Sequence, residues 1–423
     1  MDLSRRGFLQ AAALTAAASG LTVACGGSGS GGTKNGKNLT LWYWGGALSD
    51  KVVAEAKTHF GSAVTLTAAS IGGDFKQKLT TTLAAGSSVP DITGIKGEDM
   101  ASFLPNASRF LDLNDLGFKK ISAQYLGWKT KLAQTSDGKQ IGFPIDIGPT
   151  ALFYREDLFA KAGVATDPDK VAALVKTWDD YFTLGTELQK KNPGTYLVNN
   201  ISAVFNIAVG QGTQRFIDKN NHFIGDQDHI RGAWTTAIRP YTLGDAKIND
   251  NSWNAAIGKN LLTELGAAWH ALDIEQAAPH TKGKWRVCAN PAGPANQGGS
   301  YLALPKQCRN PEEAFKIISW ILSPANDARG FTDAAIFPAA PAAYTTPAMT
   351  GPDAFFGGQK VIEVFGPAAK AIPDSYEAPA DAAVMAPYMT ELTNIEAKGK
   401  KPDDAWNDAV SQAKQIARRQ GVN

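Results

Sequence analysis

The chain has 423 residues, 43% of them hydrophobic and 19% charged, which is typical of a globular protein long enough to form two hydrophobic cores. Its 42 basic and 40 acidic residues give a formal net charge of +2, and no long basic run occurs. We therefore do not expect a nucleic-acid partner. No segment after the N-terminal one approaches about 18 consecutive apolar residues, which argues against a second membrane element.

The N-terminal segment predicts export. Ser4-Arg5-Arg6-Gly7-Phe8-Leu9 resembles a twin-arginine signal, and the uncharged run 11–24 has the length of a signal-peptide apolar region. Cys25 follows Leu21-Thr22-Val23-Ala24, which resembles a lipobox whose leucine lies one place too far from the cysteine. We predict a twin-arginine lipoprotein signal peptide at 1–24 and lipidation of Cys25. The alternative is an ordinary cleaved signal followed by an unmodified cysteine.

Residues 25–37 predict a tether. The segment is rich in Gly and Ser, which is typical of a flexible coil. A lipid-anchored domain needs such a spacer to clear the membrane. We therefore expect an exported lipoprotein that is anchored to the outer face of the cytoplasmic membrane.

Strand and helix patterns alternate in the next part of the chain. Alternating or continuous apolar runs predict strands at 39–44, 64–68 and 90–95, and helical spacing predicts helices at 48–60 and 74–85. This alternation indicates a parallel sheet within an α/β fold. Further along, we predict strands from Thr150 and at 285–288 and 298–305. Further helices are predicted at 178–191, 227–242, 253–262, 311–322 and 404–419.

Two cysteines remain after Cys25. In an exported protein Cys288 and Cys308 predict a disulfide that closes a loop of about 20 residues and contributes roughly 3 kcal/mol. The alternative, a thiolate metal site, lacks an accompanying CxxC motif or histidine cluster. We expect no metal.

Taken in order, these segments resemble the family 1 extracellular solute-binding proteins of sugar ABC importers, over nearly the whole chain after the signal. The sequence departs from the family pattern at Arg155, where relatives usually carry Asn, and at His270, which follows a variant of the usual Gly-x-Trp. The motifs that carry the resemblance are Leu39–Trp44, Phe75–Asp91, Gly142-Phe143-Pro144, Leu152–Phe159, Thr177–Asp180, Asp218–His222, Gly266–Trp269, Gly298–Ser300 and Pro311–Phe315.

The resemblance implies an α/β architecture of two lobes, the type II periplasmic-binding-protein-like fold, with a hinge and an interlobe cleft that holds the ligand. By that pattern, lobe one comprises 38–145 plus 294–345, and lobe two comprises 148–290 plus 348–423. The implied role is that of a monomeric receptor, which captures a mono- or oligosaccharide and delivers it to the membrane permease of an ABC importer.

A sugar site needs aromatic planes for C–H faces and polar groups for hydroxyls. Trp44 ends the first strand, and Trp269 matches the family's stacking position; Trp253 and Trp285 are further aromatic candidates. The alternative for each tryptophan is that its side chain packs in the core and does not contact a ligand.

The polar candidates follow strand ends, glycines or the crossing segment. Asp74 begins a helix and could serve only as its N-cap. Glu98 and Asp99 follow the 90–95 strand, at the end of a sheet where ligands bind. Asp146 lies on the predicted crossing segment, and Gly298-Gly299-Ser300 would let the backbone approach a ligand closely.

Other classes of protein fit less well. The sequence has no HExxH, GxSxG, Walker or GxGxxG motif, and its five histidines are scattered. We therefore predict a binding protein rather than an enzyme, without a cofactor. Two alternatives stay open: a receptor for a non-sugar solute such as a polyamine, and a glycoside-acting enzyme with two facing carboxylates.

Overall fold

A computed structural model describes residues 36–246 and 253–423. The predicted signal peptide and Cys25 lie outside the described residues. The strands are β1 Asn38–Tyr43, β2 Thr65–Ser70, β3 Ile92–Lys96, β4 Phe143–Pro144, β5 Thr150–Arg155, β6 Thr263–Ala267, β7 Trp285–Cys288 and β8 Ser300–Ala303.

The helices cover both sheets and form the C-terminal part of the chain. None of those in the described ranges is both long and apolar enough to span a bilayer. They are α1 Asp50–His59, α2 Phe75–Ala85, α3 Gly97–Phe103, α4 Phe118–Ile121, α5 Gly127–Lys131, α6 Glu156–Lys161, α7 Pro168–Leu174, α8 Trp178–Lys191, α9 Ile201–Gly210, α10 Asp228–Leu243, α11 Trp253–Ala256, α12 His270–Ala277, α13 Pro311–Ile321, α14 Pro324–Ala334, α15 Pro347–Thr350, α16 Ile362–Ala371, α17 Asp381–Lys398 and α18 Pro402–Arg419.

The first sheet has five strands in the order β2-β1-β3-β8-β4. β1 pairs in parallel with β2 and β3, whereas β8 runs antiparallel to β3 and β4. Both faces are covered, since Leu41 and Ile92 pack with α1 and α13, while Ile95 and Tyr301 pack with α2 and α3. The predicted parallel sheet is therefore a mixed one, because β8 returns from a distant part of the chain.

The second sheet has three antiparallel strands in the order β6-β5-β7. All six residues of its central strand, β5, are buried. Alternate side chains enter different cores: Ala151 and Phe153 pack with residues of the first sheet's core, and Leu152 and Tyr154 pack with α8, α9 and α10. This period-two pattern explains why a continuous apolar run forms a strand covered on both faces.

The two sheets are joined by chain segments that run side by side. The chain passes from β4 to β5 through 145–149, and returns from β7 to β8 through 289–299. The amide of Gln297 donates to the carbonyl of Gly148 at 2.8 Å, and the amide of Ile147 donates to the carbonyl of Phe337 at 3.0 Å. These neighbouring segments, here called the crossing, lie where the sequence predicts the hinge.

The α/β architecture with two sheets is confirmed, and most predicted elements are present. The predicted helix 253–262 is much shorter, because only Trp253–Ala256 is helical. The sequence did not predict α9, α14, α16 or α17. Several of these helices are apolar or contain proline, which weakens the amphipathic pattern on which the prediction relied.

The predicted disulfide is wrong. Cys288 and Cys308 are both free, buried thiols. Cys288 ends β7 and packs in the core beneath α8–α10, whereas Cys308 precedes α13 and packs in the core of the first sheet. The two cysteines thus pack in different cores, and neither forms a disulfide in this fold.

This arrangement predicts the labelling of the cysteines. Under native conditions Cys288 and Cys308 should resist a thiol-alkylating reagent, because they are buried and burial raises the pKa of each thiol. After denaturation without any reductant, both should become alkylated, as measured by peptide mass spectrometry. Recovery of a peptide linking Cys288 to Cys308 would contradict the fold as described.

Candidate functional site

A cavity of about 640 Å³ lies between the two sheets. One side, here called the first wall, consists of residues from the start of α3, from α5 and its C-terminal end, and from the start of β8. The opposite side, here called the second wall, consists of residues from α9, β6 and the start of α12. The first wall includes Gly97, Glu98, Lys129, Leu132, Gly298 and Tyr301, and the second includes Asn199, Asn206, Glu264, Gly266, Trp269 and His270.

The first wall holds a buried lysine. Lys129 is 1% exposed, and its Nζ lies 3.9 Å from the centroid of the Tyr301 ring, which gives a cation–π contact. Burial lowers the pKa of Lys129 to about 8, although Asp146, Glu377 and Glu98 act in the opposite direction. The neighbouring carboxylates thus favour the protonated form of Lys129, which burial alone would disfavour.

Asp146 lies behind this wall, on the crossing. It is not among the described residues that line the cavity. Burial raises the pKa of Asp146 to about 6, against the effects of Lys129 and of hydrogen bonds from Ser300. Its Oδ1 has no hydrogen-bond partner among the described residues. Asp146 thus interacts with Lys129 and Ser300, and its contact with a ligand stays a prediction.

The second wall contains a network around Glu264. Its Oε1 accepts a hydrogen bond from Trp253 Nε1 at 2.8 Å, and its Oε2 lies 3.2 Å from His270 Nε2. His270 Nδ1 lies 3.1 Å from Asp273 Oδ2. Burial alone would lower the pKa of His270, but the hydrogen bonds to Asp273 and Glu264 outweigh it and raise that pKa to about 9. The second wall thus carries the Glu264 carboxylate paired with His270, whose raised pKa favours the protonated ring.

The third side of the cavity comes from Arg215, Phe216 and the start of α17. Arg215 Nη2 and Glu377 Oε1 form an ion pair at 2.5 Å, while Arg215 Nε is buried without a hydrogen-bond partner among the described residues. Asp381 accepts hydrogen bonds from the amides of Phe216 and Ala378. Burial raises the pKa of Asp381 to about 7, so this carboxyl titrates near neutrality.

A second cavity of about 520 Å³ continues the cleft. Both cavities are lined by Leu132 and Glu377, so they share a boundary. Its lining includes the side chains of Gln134, Gln214 and Tyr376. Together the two cavities form an elongated cleft rather than a closed pocket for one small ring.

The four predicted tryptophans have different positions. Trp269 lines the cavity with 38% of its surface exposed, and its Nε1 donates to the carbonyl of Gln297 at 3.2 Å. Trp253 lies behind the wall and donates to Glu264. Trp44 packs edge-on against Phe75 at 5.1 Å and is not among the described lining residues.

The prediction for Trp285 is wrong. Its exposed fraction is 0%, and its Nε1 donates to Thr281 Oγ1 at 2.9 Å inside the core. β7 is covered on both faces, so a large apolar side chain on it packs rather than contacts a ligand.

The predicted acidic residues also differ in their positions relative to the cavity. Glu98 lines the cavity. Asp74 instead caps α2, where its Oδ1 accepts from the amide of Gln77 at 3.0 Å. Asp99 forms an ion pair with Lys76 at 2.8 Å. Neither Asp74 nor Asp99 is among the described residues that line the cavity, and ligand contact by these two residues stays a prediction.

The glycine turn has a mixed role. Gly298 lines the cavity, whereas Gly299 lies against the crossing. A Cβ at Gly299 would lie 2.6 Å from the carbonyl oxygen of Asp146 and 2.7 Å from Lys129 Nζ, and its φ of +84° favours glycine. The side chain and backbone of Ser300 bond to Asp146. Of the three residues of this turn, Gly298 lines the cavity, and ligand contact by Gly299 and Ser300 stays a prediction.

Sequence reasoning missed several lining residues, namely Lys129, Asn199, Asn206, Arg215, Glu264, His270, Glu377 and Asp381. The spacing of His270 and Asp273, three residues apart on a helix start, was the one local signal that could have indicated a pair. The described residues contain no cluster of three or more His, Cys, Asp or Glu side chains suited to a metal ion.

The chain is similar to two known sugar-binding proteins over much of its length. It is 28% identical to the arabinooligosaccharide-binding protein of Bacillus subtilis over 272 residues, which are 59% of each chain. It is 25% identical to the lactose-binding protein of Rhizobium radiobacter over 353 residues, which are 77% of this chain and 81% of that one. The match to the first relative thus covers about three-fifths of that protein's length.

Solved structures agree with the fold. A family 1 extracellular solute-binding protein superposes with a TM-score of 0.84 at 27% identity, covering 90% of this chain and 99% of the other. The galacto-N-biose-/lacto-N-biose I-binding protein of Bifidobacterium longum superposes with a TM-score of 0.77 at 21% identity, covering 92% and 99%; at that identity the likeness shows the fold alone.

The family model for bacterial extracellular solute-binding proteins matches residues 11–328 of the chain. This match extends over most of the sequence, and the predicted type II periplasmic-binding-protein-like fold is confirmed by the structural neighbours. The chain belongs to the family of bacterial extracellular solute-binding proteins.

Proposed function

We propose that the protein is the receptor of an ABC importer, which binds a sugar in the cleft and delivers it to the membrane permease. The observation that carries this proposal is the Trp269 indole, 38% exposed in a cavity that is otherwise rich in charged and amide side chains. An exposed indole among hydrogen-bonding groups suits a ligand with an apolar face and a polar rim.

Sugars have this combination of surfaces. Their C–H faces stack on aromatic rings, and each hydroxyl both donates and accepts hydrogen bonds. The amides of Asn199, Asn206, Asn296 and Gln297 line the same cavity as Trp269, and an amide side chain also offers both donors and an acceptor. The cavity thus has complementary groups for a ring with several hydroxyls.

The shape of the cleft favours an oligosaccharide over a monosaccharide. The second cavity continues beyond Leu132 and Glu377, and Tyr376 offers it an aromatic side chain. Among the relatives, the protein from Bacillus subtilis is named for arabinooligosaccharides and that from Rhizobium radiobacter for lactose. These names support a ligand of two or more sugar units.

The charges in the cavity argue against a polyamine. Glu377 is paired with Arg215, and Glu264 is paired with His270, so these carboxylates are already balanced. A polycation needs carboxylates that are not neutralised by the protein. The walls also present Lys129, which would repel an ammonium group while it is protonated.

We infer from the crossing that ligand binding closes the cleft by a hinge motion of two lobes, 38–145 plus 294–345 and 148–290 plus 348–423. We also propose that the receptor is a monomer that is exported through the twin-arginine signal and anchored through a lipid on Cys25. The Gly/Ser-rich segment 25–37 would give it the reach to meet the permease.

Thermal stabilisation by ligands tests the proposed function. A panel of neutral mono-, di- and trisaccharides, with putrescine and spermidine as controls, should give shifts only for sugars, and the largest shifts for those with two or more units. Binding to the folded state alone stabilises it by RT ln(1 + [L]/Kd), which is about 2.7 kcal/mol at a hundredfold excess over Kd. Stabilisation by the amines alone, or release of monosaccharides from a bound glycoside, would contradict this function.

Substitution of Trp269 tests the stacking platform. W269A should raise the Kd of the tightest-binding sugar by at least tenfold in isothermal titration calorimetry, since loss of roughly 80 Å² of apolar contact costs about 2 kcal/mol. The matched control is W320A, because Trp320 stacks on His59 and is not among the described residues that line the cavity. If W269A and the wild-type protein bound the sugar with equal affinity, Trp269 would not be part of the ligand site.

A further inference from the structure

His270 occupies the centre of the second wall. It begins α12 directly after Trp269, and its side chain is only 16% exposed. Both ring nitrogens lie close to carboxylate oxygens, Nδ1 at 3.1 Å from Asp273 and Nε2 at 3.2 Å from Glu264. Since a neutral imidazole can donate only one hydrogen bond, the protonated ring alone can donate to both carboxylates.

The ring is also fixed by its apolar contacts. It lies edge-to-face against Trp269, with centroids 6.0 Å apart, and against Phe153 at 5.9 Å. Trp253 packs on it at 5.8 Å in a tilted arrangement. A Cβ at Gly266 would lie 2.7 Å from His270 Cδ2, so the imidazole rests directly on the backbone of β6. The position of His270 is therefore determined by three aromatic rings and one strand.

We propose that His270 is a positioning residue of the ligand site, whose protonated ring holds the Glu264 carboxylate and the Trp269 indole in the orientation that a sugar requires. The inference rests on the proposed function and adds a specific residue to it. His270 itself is not a ligand-binding donor, because both of its N–H groups are occupied. Glu264 keeps unused lone pairs after its bonds to His270 and Trp253, and it lines the cavity.

The role of His270 makes the sugar affinity sensitive to alkaline pH. The groups that face the ring are Glu264 from β6 and Asp273 from α12, with Phe153, Trp253 and Trp269 as its aromatic neighbours. When His270 loses a proton, one of its ring nitrogens presents a lone pair to a carboxylate oxygen. The hydrogen bond between that nitrogen and the carboxylate is then lost. Sugar affinity should therefore be greatest while His270 is protonated, and should fall as the pH rises through the pKa of this group, about 9.

Asp273 provides a way to move that pKa without altering the cavity lining. Its side chain is 49% exposed, and it is not among the described residues that line the cavity. Lys129, with a pKa of about 8, titrates in the same range. A fall in the sugar affinity of the wild-type protein at alkaline pH therefore does not by itself identify His270 as the cause. The diagnostic quantity is the difference between wild type and D273N, which removes one of the two charges that hold the proton.

The experiment uses the full chain and has two arms. In the first, histidine and indole N–H resonances are followed by NMR from pH 6 to 10 without ligand, with H270N and W269F as assignment variants. We expect His270 to titrate well above pH 6.5, the Trp269 N–H resonance to move with the same midpoint, and both midpoints to fall by about one pH unit in D273N.

In the second arm, the Kd of the tightest-binding sugar is measured over the same pH range. The alkaline midpoint of affinity should fall by the same amount in D273N, and H270N should bind at least several-fold more weakly at pH 7. The matched control is D403N, since Asp403 is an exposed aspartate in the first turn of another helix. It should leave the midpoint unchanged.

Two results would overturn the inference. One is a His270 midpoint near 6.5, or a Trp269 resonance that does not follow it. The other is an affinity profile of D273N that coincides with that of wild type. Failure of wild type to bind any sugar would instead overturn the proposed function, and the ligand-free NMR arm would still decide the role of His270 in holding Trp269.

Discussion

The close approach of two connecting segments at the crossing determines how the rest of the site is built. A Cβ at Gly148 would lie 1.8 Å from the carbonyl oxygen of Gln297, and a Cβ at Gly299 would lie 2.6 Å from that of Asp146. Any side chain at Gly148 would therefore push the 145–149 and 295–299 segments apart. These segments carry the chain between the two sheets, so their contact sets the separation of the first wall from the second.

The charged groups of the site interact with one another inside the protein. Lys129 lies beside the crossing, where Asp146 and Glu377 favour its protonated form against the effect of burial. On the other wall, Glu264 is held between Trp253 and His270. Because these charges are paired within the protein, the cleft can present many hydrogen-bonding groups and yet suit an uncharged ligand. Groups that are oriented before binding lose little entropy on binding.

The sequence predicted the strands and the crossing better than it predicted the lining of the cleft. Period-two patterns and glycines are local signals, so β1, β5 and the turn before β8 could be found from short windows. Trp269 was found because it matches a family position. Trp285 was assigned wrongly, since the sequence shows an aromatic residue on a strand but does not show that helices cover both faces of that strand.

The remaining residues could not be predicted because tertiary topology brings them together. Lys129 belongs to a five-residue helix with no distinctive pattern, and Asp381 begins a helix that the sequence did not indicate. The wrong disulfide has the same origin, because Cys288 and Cys308 are near in sequence but lie in separate cores. Proximity along the chain is a weak guide where the chain changes sheets between two residues.

A crystal structure with the tightest-binding sugar from the panel would show whether the ligand lies between the two walls of the cleft. We expect one sugar ring to stack on Trp269, and hydroxyls of the same molecule to bond to groups of both walls, including Glu264 on one side and Glu98 or Lys129 on the other. A sugar bound outside the cleft, or one that contacts a single wall while the cleft stays open, would contradict this expectation.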